Sequence, residues 1–236
     1  MSEVYLEIHI GNKDEHDRDK AVYDATVALL EKNASIYGLP SSAELLSEEQ
    51  QSILQELDSS LKMRFEPPRP LCAGRLVFKL DQSPGLAKSR ANFIALCTGE
   101  KGTCKNAPNK RLHYLDTPVH RIVKGFVAQG GDVTRGDGSG GESIYGKNFN
   151  DEKDGLKKKM HRGSLAMANS GKNSNSSQYF VVLTDDEVKL NKMNGKYVVF
   201  GDVVQGHDVL DKLDEVGGGA DGKPSLPVWV SACGMC

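Results

Sequence analysis

The chain opens on an alternation of apolar and polar residues, VYLEIHI over residues 4–10, which Gly11 ends. A period of two predicts a β-strand with one buried face. Further β-like runs are separated by stretches rich in Gly, Asn and Asp. They are RLVFKL (75–80), PVHRIV (118–123), SLAMA (164–168), YFVVL (179–183), KYVVFGDVV (196–204) and LPVWVSA (226–232).

Between residues 12 and 68 the spacing of apolar residues changes to that of helices. One helical face carries Tyr23, Val27, Leu30 and Ala34. Ser47, with Gln50 three residues later, has the form of a capping box. The apolar stripe that follows is Ile53, Leu57 and Leu61. The segment is therefore predicted to be an amphipathic helical hairpin.

Two more helices are predicted among the strands. One runs from Pro84 to about Cys97, and the other lies where apolar residues recur at Val209, Leu210, Leu213 and Val216. Short strands with isolated helices, and no regular alternation of strand and helix, favour an antiparallel sheet over a doubly wound parallel one. The sequence therefore predicts a mainly β protein built as a closed antiparallel barrel.

Composition and charge narrow the classes of function. The 236 residues are 38% apolar, and 30 Lys and Arg against 32 Asp and Glu leave a net charge of −2. Without a basic field, neither nucleic acid nor a membrane is an expected partner. The N-terminus lacks a basic segment followed by an apolar one, and no run of eighteen apolar residues occurs, which predicts a cytoplasmic protein.

The cysteines predict no disulfide framework. There are five, an odd number spread along the chain, so reduced thiols are expected. Cys233 and Cys236 form a C-x-x-C, but a single pair without a following helix is weak support for a redox or zinc site. We expect neither a metal nor a cofactor.

The stretch RGDGSGGESIYG (135–146) contains both an Arg-Gly-Asp tripeptide and a literal G-x-G-x-x-G. A dinucleotide loop requires a helix that opens at the last glycine, and the following residues carry no helical stripe. An adhesion site would need export from the cell. The pattern instead favours a glycine-rich surface loop with positive φ angles.

Three blocks have the order and spacing of one known family. They are HRIVKGFVAQGGD (120–132), LAMANSGKNSNSSQYFVV (165–182) and NGKYVVFGDVVQGHDVL (194–210). The chain resembles the cyclophilin family of peptidyl-prolyl isomerases over residues 4–11 and 72–234. The resemblance implies a single domain over 1–236, an eight-stranded antiparallel barrel capped by two helices, with residues 12–68 as an insertion after the first strand.

The resemblance also implies an outer groove that holds a proline-containing peptide. It assigns catalysis to Arg121, Phe126 and Gln129, and substrate binding to Val127, Ala168, Asn169, Phe180, Met193 and Tyr197. The chemistry of X-Pro isomerisation is consistent with an arginine and a glutamine at these positions. A twisted X-Pro amide has a localised lone pair on nitrogen, to which a permanently charged arginine can donate, while Gln129 would orient both arginine and substrate.

The sequence departs from the family beside the expected proline pocket. The family usually has an aromatic Leu-Asp-Gly-Lys-His run there, whereas this chain reads TDDEVKLNKMNGKYVVFG (184–201). Lys192, Met193 and Tyr197 stand in the corresponding places, the family's tryptophan is absent, and Val127 replaces the usual methionine. Because the family's grip on cyclosporin A uses that indole, we expect weak cyclosporin A binding.

Two other features resemble a subset of the family. KGTCKNAPNKRLHY (101–114) is similar to the divergent loop of some members, with Glu142 as its matching partner. Cys97 and Cys233 resemble the cysteine pair that those members carry.

Two functions are consistent with this sequence. The first is a peptidyl-prolyl cis-trans isomerase that assists folding or conformational switching of proteins. The alternative is a proline-segment binding or scaffold module with weak or no catalysis. Retention of Arg121, Phe126, Gln129 and Phe180 favours the isomerase. The helical insertion would be the place for a protein partner.

Overall fold

The computed structural model describes residues 3–236. Its strands are β1 (Glu3–Ile10), β2 (Cys72–Leu80), β3 (Arg121–Val123), β4 (Val127–Gly130), β5 (Ser164–Met167), β6 (Tyr179–Val182), β7 (Val199–Gln205) and β8 (Val228–Met235). Its α-helices are α1 (Lys13–Tyr37), α2 (Glu48–Leu57), α3 (Ala87–Thr98), α4 (Lys153–Leu156), α5 (Glu187–Met193) and α6 (His207–Glu215). The described residues form two compact units, one of residues up to Ile10 with Cys72–Cys236 and the other of Gly11–Leu71.

The eight strands form one antiparallel sheet in the order β3-β4-β6-β5-β7-β2-β1-β8. The predicted mainly β fold is thereby confirmed, but the sheet closes differently from the prediction. Within residues 3–236 its two edge strands form no ladder with each other. The segment before β3 reaches β8 instead, where Val119 N–H donates to Val228 O at 2.9 Å and Val230 N–H donates to Thr117 O at 3.0 Å.

The main core lies on the inner face of this curled sheet. Phe93 of α3 is fully buried at its centre. Its ring lies 5.2 to 5.8 Å from the rings of Phe78, Tyr114, Tyr179 and Phe200. Such tilted and edge-to-face pairs stabilise a core beyond the area they bury. Since alternate strand residues point to opposite faces, the outer face stays free to carry a site.

The strand pattern predicts seven of the eight strands. Each of the seven β-like runs overlaps a strand, whereas β4, α4 and α5 were not predicted from the pattern. These three elements have four, four and seven residues. Shortness explains α4, which spans only about one helical turn and so shows no helical period. It does not explain β4, because β3, β5 and β6 are as short and were predicted.

The inserted unit consists of two capped helices. Asn12 Oδ1 accepts a hydrogen bond from Glu15 N–H at 3.2 Å at the start of α1, and Gly38 ends that helix in the left-handed region. The predicted capping box of Ser47 and Gln50 opens α2. No helix of the described residues has the length and apolar character needed to cross a bilayer.

The same unit contains a small apolar cluster of its own. Its buried members are Leu30, Ala43, Leu46 and Leu54. The predicted stripe of α2 is wrong in register, because Leu54 is fully buried, Leu57 is exposed and Leu61 lies beyond the end of the helix. Ala43 and Leu46, in the connection between the helices, contribute apolar surface that helical periodicity did not predict.

Candidate active site

One transverse row of side chains crosses the outer face of the sheet. Strand register pairs Arg121 of β3 with Gln129 of β4, and Gln129 with Phe180 of β6. Directly paired residues point to the same face. Their chain neighbours Ile122 and Ala128 point inward and belong to the main core. The structure thus brings three of the predicted site residues side by side on the outer face.

An apolar cluster continues this row, and we call it the outer cluster. Its buried members are Val127, Met160, Ala166, Ala168, Phe180, Val182, Leu190, Met193 and Val199, with Phe126 and Tyr197 packed partly buried against them. The Tyr197 ring meets the Phe180 ring edge-on, with centroids 5.1 Å apart. The outer cluster is separate from the main core and brings together every predicted apolar site residue.

Arg121 lies at one end of the row with its charge free. Its side chain is half-buried, and no carboxylate of residues 3–236 lies within 4.0 Å of its guanidinium. A Cβ added at Gly222 would come within 2.6 Å of Arg121 Cγ, and Gly222 has a φ of +69°. Gly222 O also accepts a hydrogen bond from Ile122 N–H at 2.8 Å. Gly222 therefore leaves the space that the Arg121 side chain occupies, a contact that no pattern in the sequence indicates.

Gln129 is held by Gln178, a residue that no sequence pattern indicates. Gln129 Nε2 donates to Gln178 Oε1 at 2.8 Å, and Gln178 Nε2 donates to the carbonyls of Gly138 at 2.9 Å and Gly140 at 2.7 Å. Gln129 was predicted to orient Arg121, but within the described residues no hydrogen bond joins the two side chains. Gln178 instead couples Gln129 to the glycine-rich loop.

Asp132 organises that loop. Its Oδ2 accepts hydrogen bonds from Gly138 N–H at 2.9 Å and Gly140 N–H at 3.0 Å, and its Oδ1 accepts one from Arg135 N–H at 3.0 Å. Burial raises the pKa of Asp132, but these N–H donors outweigh burial and hold the pKa below its ordinary value. Asp132 thus stays ionised and fixes the loop.

The glycine pattern of the loop has a steric cause. Gly138 has a φ of +89°, and a Cβ there would come within 2.6 Å of His120 Nε2. His120 lies under the loop with both ring nitrogens unpartnered within the described residues, and burial lowers its pKa. The glycines of the G-x-G-x-x-G thus allow the loop to pack directly against His120, which is neutral.

Two clefts flank Asn169. The first, of about 360 Å³, is uncharged and is lined by Gln129, Gly138, Ser139, Gly140, Gly141, Asn148, Ala168, Asn169, Ser170, Ser174, Ser176 and Gln178. The second, of about 810 Å³, includes Asn169, Tyr197, Lys153, Lys172 and Lys196. The backbone N–H and C=O of Asn169 have no hydrogen-bond partner within residues 3–236. An extended peptide could pair with them.

The expected divergent-loop contact is present. The Glu142 carboxylate accepts hydrogen bonds from the backbone N–H groups of Lys105 at 2.6 Å and Asn106 at 2.8 Å. Asn106 Nδ2 adds a third at 2.8 Å. The buried Glu142 therefore fixes the loop beside the first cleft.

The cysteines are free thiols in this structure. Burial raises the pKa of Cys97 and raises that of Cys233 to about 12, so both are protonated at neutral pH. His113 Nε2 lies 3.1 Å from Cys97 O and 3.3 Å from Cys233 Sγ. In this state neither thiol is poised as a nucleophile.

Comparisons with known proteins agree with this architecture. A family model described as "Cyclophilin type peptidyl-prolyl cis-trans isomerase/CLD" matches residues 64–235. The Caenorhabditis elegans protein "Peptidyl-prolyl cis-trans isomerase 9" is 50% identical over 148 residues, which cover 62% of this chain and 46% of that protein. The matched region thus spans less than half the length of this relative.

Proposed function

Because the chain belongs to the cyclophilin family of peptidyl-prolyl cis-trans isomerases, we propose that it catalyses rotation about X-Pro peptide bonds in proteins, assisting their folding or conformational switching. The observation that carries the proposal is the row of Arg121, Gln129 and Phe180 beside the outer cluster. This row supplies a free cation, a hydrogen-bonding amide and an apolar wall on one face.

The reaction needs no nucleophile. Amide resonance sets a barrier of about 18 to 20 kcal/mol, and rotation leaves the proline nitrogen with a localised lone pair. Arg121 donates to that nitrogen and so binds the twisted amide more tightly than the planar one. The guanidinium stays charged throughout, so no proton is transferred.

The outer cluster receives the proline ring. Phe126, Val127, Phe180, Met193 and Tyr197 offer apolar surface that stabilises the twisted amide, which is less polar than the resonant one. Ala168 and Asn169 lie where the peptide backbone passes, and the free N–H and C=O of Asn169 pair with it. Gln129, fixed by Gln178, orients the substrate from the other side.

The alternative is a proline-segment binding or scaffold module. A protease-coupled isomerisation assay on a short X-Pro peptide distinguishes the two, with the full-length protein and an Arg121→Ala variant side by side. Acceleration by the wild type that the variant loses supports the isomerase. Peptide binding without acceleration would establish the scaffold function instead.

The lysines of the second cleft should make the isomerase prefer substrates with an acidic side chain near the X-Pro bond. Lys153, Lys172 and Lys196 line it, and no carboxylate of residues 3–236 lies within 4.0 Å of their ammonium groups. The carboxylate of Asp151, which also lines it, already accepts hydrogen bonds from Asn173 N–H at 2.9 Å and Asn175 Nδ2 at 2.8 Å. The cleft is therefore set to attract an acidic substrate side chain.

We predict that peptides with Glu near the X-Pro bond have kcat/KM about two- to fivefold higher than the same peptides with Lys, because exposed charge pairs contribute about 0.2–1 kcal/mol. Salt should weaken the preference. Lys172→Glu should reduce or reverse it, while Lys32→Glu, an equal change of net charge in the inserted unit, should not. Equal rates for both peptides at low salt would contradict this preference.

The insertion is proposed to be dispensable for catalysis and available to a protein partner. All nine candidate site residues belong to the unit that contains Cys72–Cys236. Because His9 of β1 pairs with Cys72 of β2, the strand ends lie close enough for a short turn. We predict that replacing residues 12–68 by a Gly-containing turn leaves a folded protein with most of its kcat/KM. A folded but inactive product would assign the insertion a part in the active groove.

We propose a cytoplasmic protein that acts on proline-containing peptides and proteins, without nucleic acid or membrane partners. The net charge of −2 supports the expectation about nucleic acid and membranes, because it supplies no field that would recruit polyanions.

A further inference from the structure

Three potential metal ligands lie together on β1 and β2, away from the candidate active site. Register pairs His9 with Cys72, and Glu7 lies two residues before His9 on the same face of β1. A β-bulge between Ile8 and His9 shifts the register, so that Cys72 and not Ala73 lies opposite His9. Among residues 3–236 this is the one group of at least three His, Cys, Asp or Glu side chains close enough to share an ion.

The geometry of the three side chains suits a single ion. One donor atom of each residue lies within 4.8 Å of those of the other two, and Glu7 Oε1 is 3.9 Å from His9 Nε2. Glu7 and His9 are each about one-quarter exposed, and Cys72 is exposed. An ion from solvent can therefore reach all three without unfolding the sheet.

Neighbouring residues hold two of these ligands in place. Arg75 Nε donates to Glu7 Oε2 at 2.9 Å, and Ser231 Oγ donates to Glu7 Oε1 at 3.2 Å. Trp229 packs edge-on to the His9 ring at a centroid distance of 5.4 Å. Hydrogen bonds of the kind that Glu7 accepts are typical of metal sites, where they orient the ligand, and the Trp229 contact restricts the His9 ring by packing.

We propose that Glu7, His9 and Cys72 bind one divalent ion of borderline softness, best matched by Zn²⁺, with water as the fourth ligand. Carboxylate, imidazole and thiolate are the side chains that Zn²⁺ uses, whereas Mg²⁺ and Ca²⁺ prefer oxygen alone. Binding releases the Cys72 thiol proton to solvent. The carboxylate and thiolate then balance the charge of the ion.

The position of the site gives the ion a structural role. It would join the end of β1 to the start of β2, the two strands between which residues 11–71 are inserted in the sequence. Since Cys72 and His9 are far apart in sequence, spacing did not indicate them. The C-x-x-C of Cys233 and Cys236 takes no part in the proposed site.

The test uses the full-length protein with any affinity tag removed. Calorimetric titration with Zn²⁺ should give one site per chain, and Co²⁺ should give a thiolate-to-metal charge-transfer band. Cys72→Ser and His9→Ala should each weaken Zn²⁺ binding by about tenfold or more, and Cys72→Ser should abolish the band. At the same Zn²⁺ concentration, the thermal stabilisation that Zn²⁺ gives the wild type should be smaller in both variants.

Cys236→Ser is the matched control, because Cys236 is the other exposed cysteine. It should bind Zn²⁺ like the wild type. The proposal is overturned if the wild type binds no stoichiometric Zn²⁺, if Cys72→Ser binds it unchanged, or if Cys236→Ser weakens binding as much as Cys72→Ser. Isomerase assays do not enter this test, so its outcome is independent of the proposed function.

Discussion

Arg121→Ala is expected to lower kcat/KM for X-Pro isomerisation about ten- to a hundredfold while the protein stays folded. The substitution removes one charge-assisted hydrogen bond to the twisted amide, which contributes about 1.5 to 3 kcal/mol. The fold should survive because Arg121 is half-buried on the outer face and forms no ion pair in the described residues. The measurement is a protease-coupled assay, with circular dichroism to verify folding.

Two further variants separate the mechanism from a general loss of charge. Arg121→Lys keeps the charge but loses the rigid guanidinium fork, so it should recover only part of the rate. Arg135→Ala removes an exposed arginine of the neighbouring loop and should leave the rate within about twofold. An Arg121→Ala protein that is folded and as fast as the wild type would rule out transition-state donation by Arg121.

Much of the barrel could be predicted from the sequence because its signals are local. The alternation in VYLEIHI reflects one buried face, and β1 indeed buries Val4, Leu6 and Ile8. The capping box of Ser47 and Gln50 depends on residues three apart, so it too is visible in sequence. These features need no knowledge of distant parts of the chain.

The positioning contacts of the candidate site could not be predicted, because they join distant residues. Gly222 is remote from Arg121 in sequence, and only the fold shows that a side chain there would collide with the arginine. Gln178 likewise reaches Gln129 across β4 and β6. A single glycine or glutamine belongs to no sequence pattern that would show which distant side chain it contacts.

The helical insertion illustrates a different limit. Helical spacing is compatible with either Ile53 or Leu54 at the centre of the apolar face of α2. Which of the two is buried depends on the surface against which the helix packs. Ala43 and Leu46 of the connecting segment supply that surface and select Leu54. Periodicity therefore predicted the helix but not its orientation.

The tryptophan that the family resemblance leads us to expect is missing, and this should cost the protein its affinity for cyclosporin A. An acceptor on the ligand that loses an indole N–H donor is left unpaired at a cost of about 1–3 kcal/mol. We therefore expect a Kd about ten- to a hundredfold weaker than for a cyclophilin that carries the tryptophan. Isothermal titration calorimetry measures this directly, and nanomolar binding by the wild type would contradict the prediction.

Lys192→Trp should restore about tenfold of the cyclosporin A affinity. Lys192 is exposed near the end of α5, next to Met193, whose buried side chain belongs to the outer cluster. We expect an indole at position 192 to reach the edge of the outer cluster, as the alignment with the family's tryptophan implies. Val188→Trp is the matched control, because Val188 is exposed in the first turn of the same helix. Equal tightening by both variants would mean that any added apolar surface suffices. Since Arg121, Gln129 and Phe180 are unchanged in Lys192→Trp, its kcat/KM should stay within a few-fold of the wild type even as cyclosporin A binds more tightly.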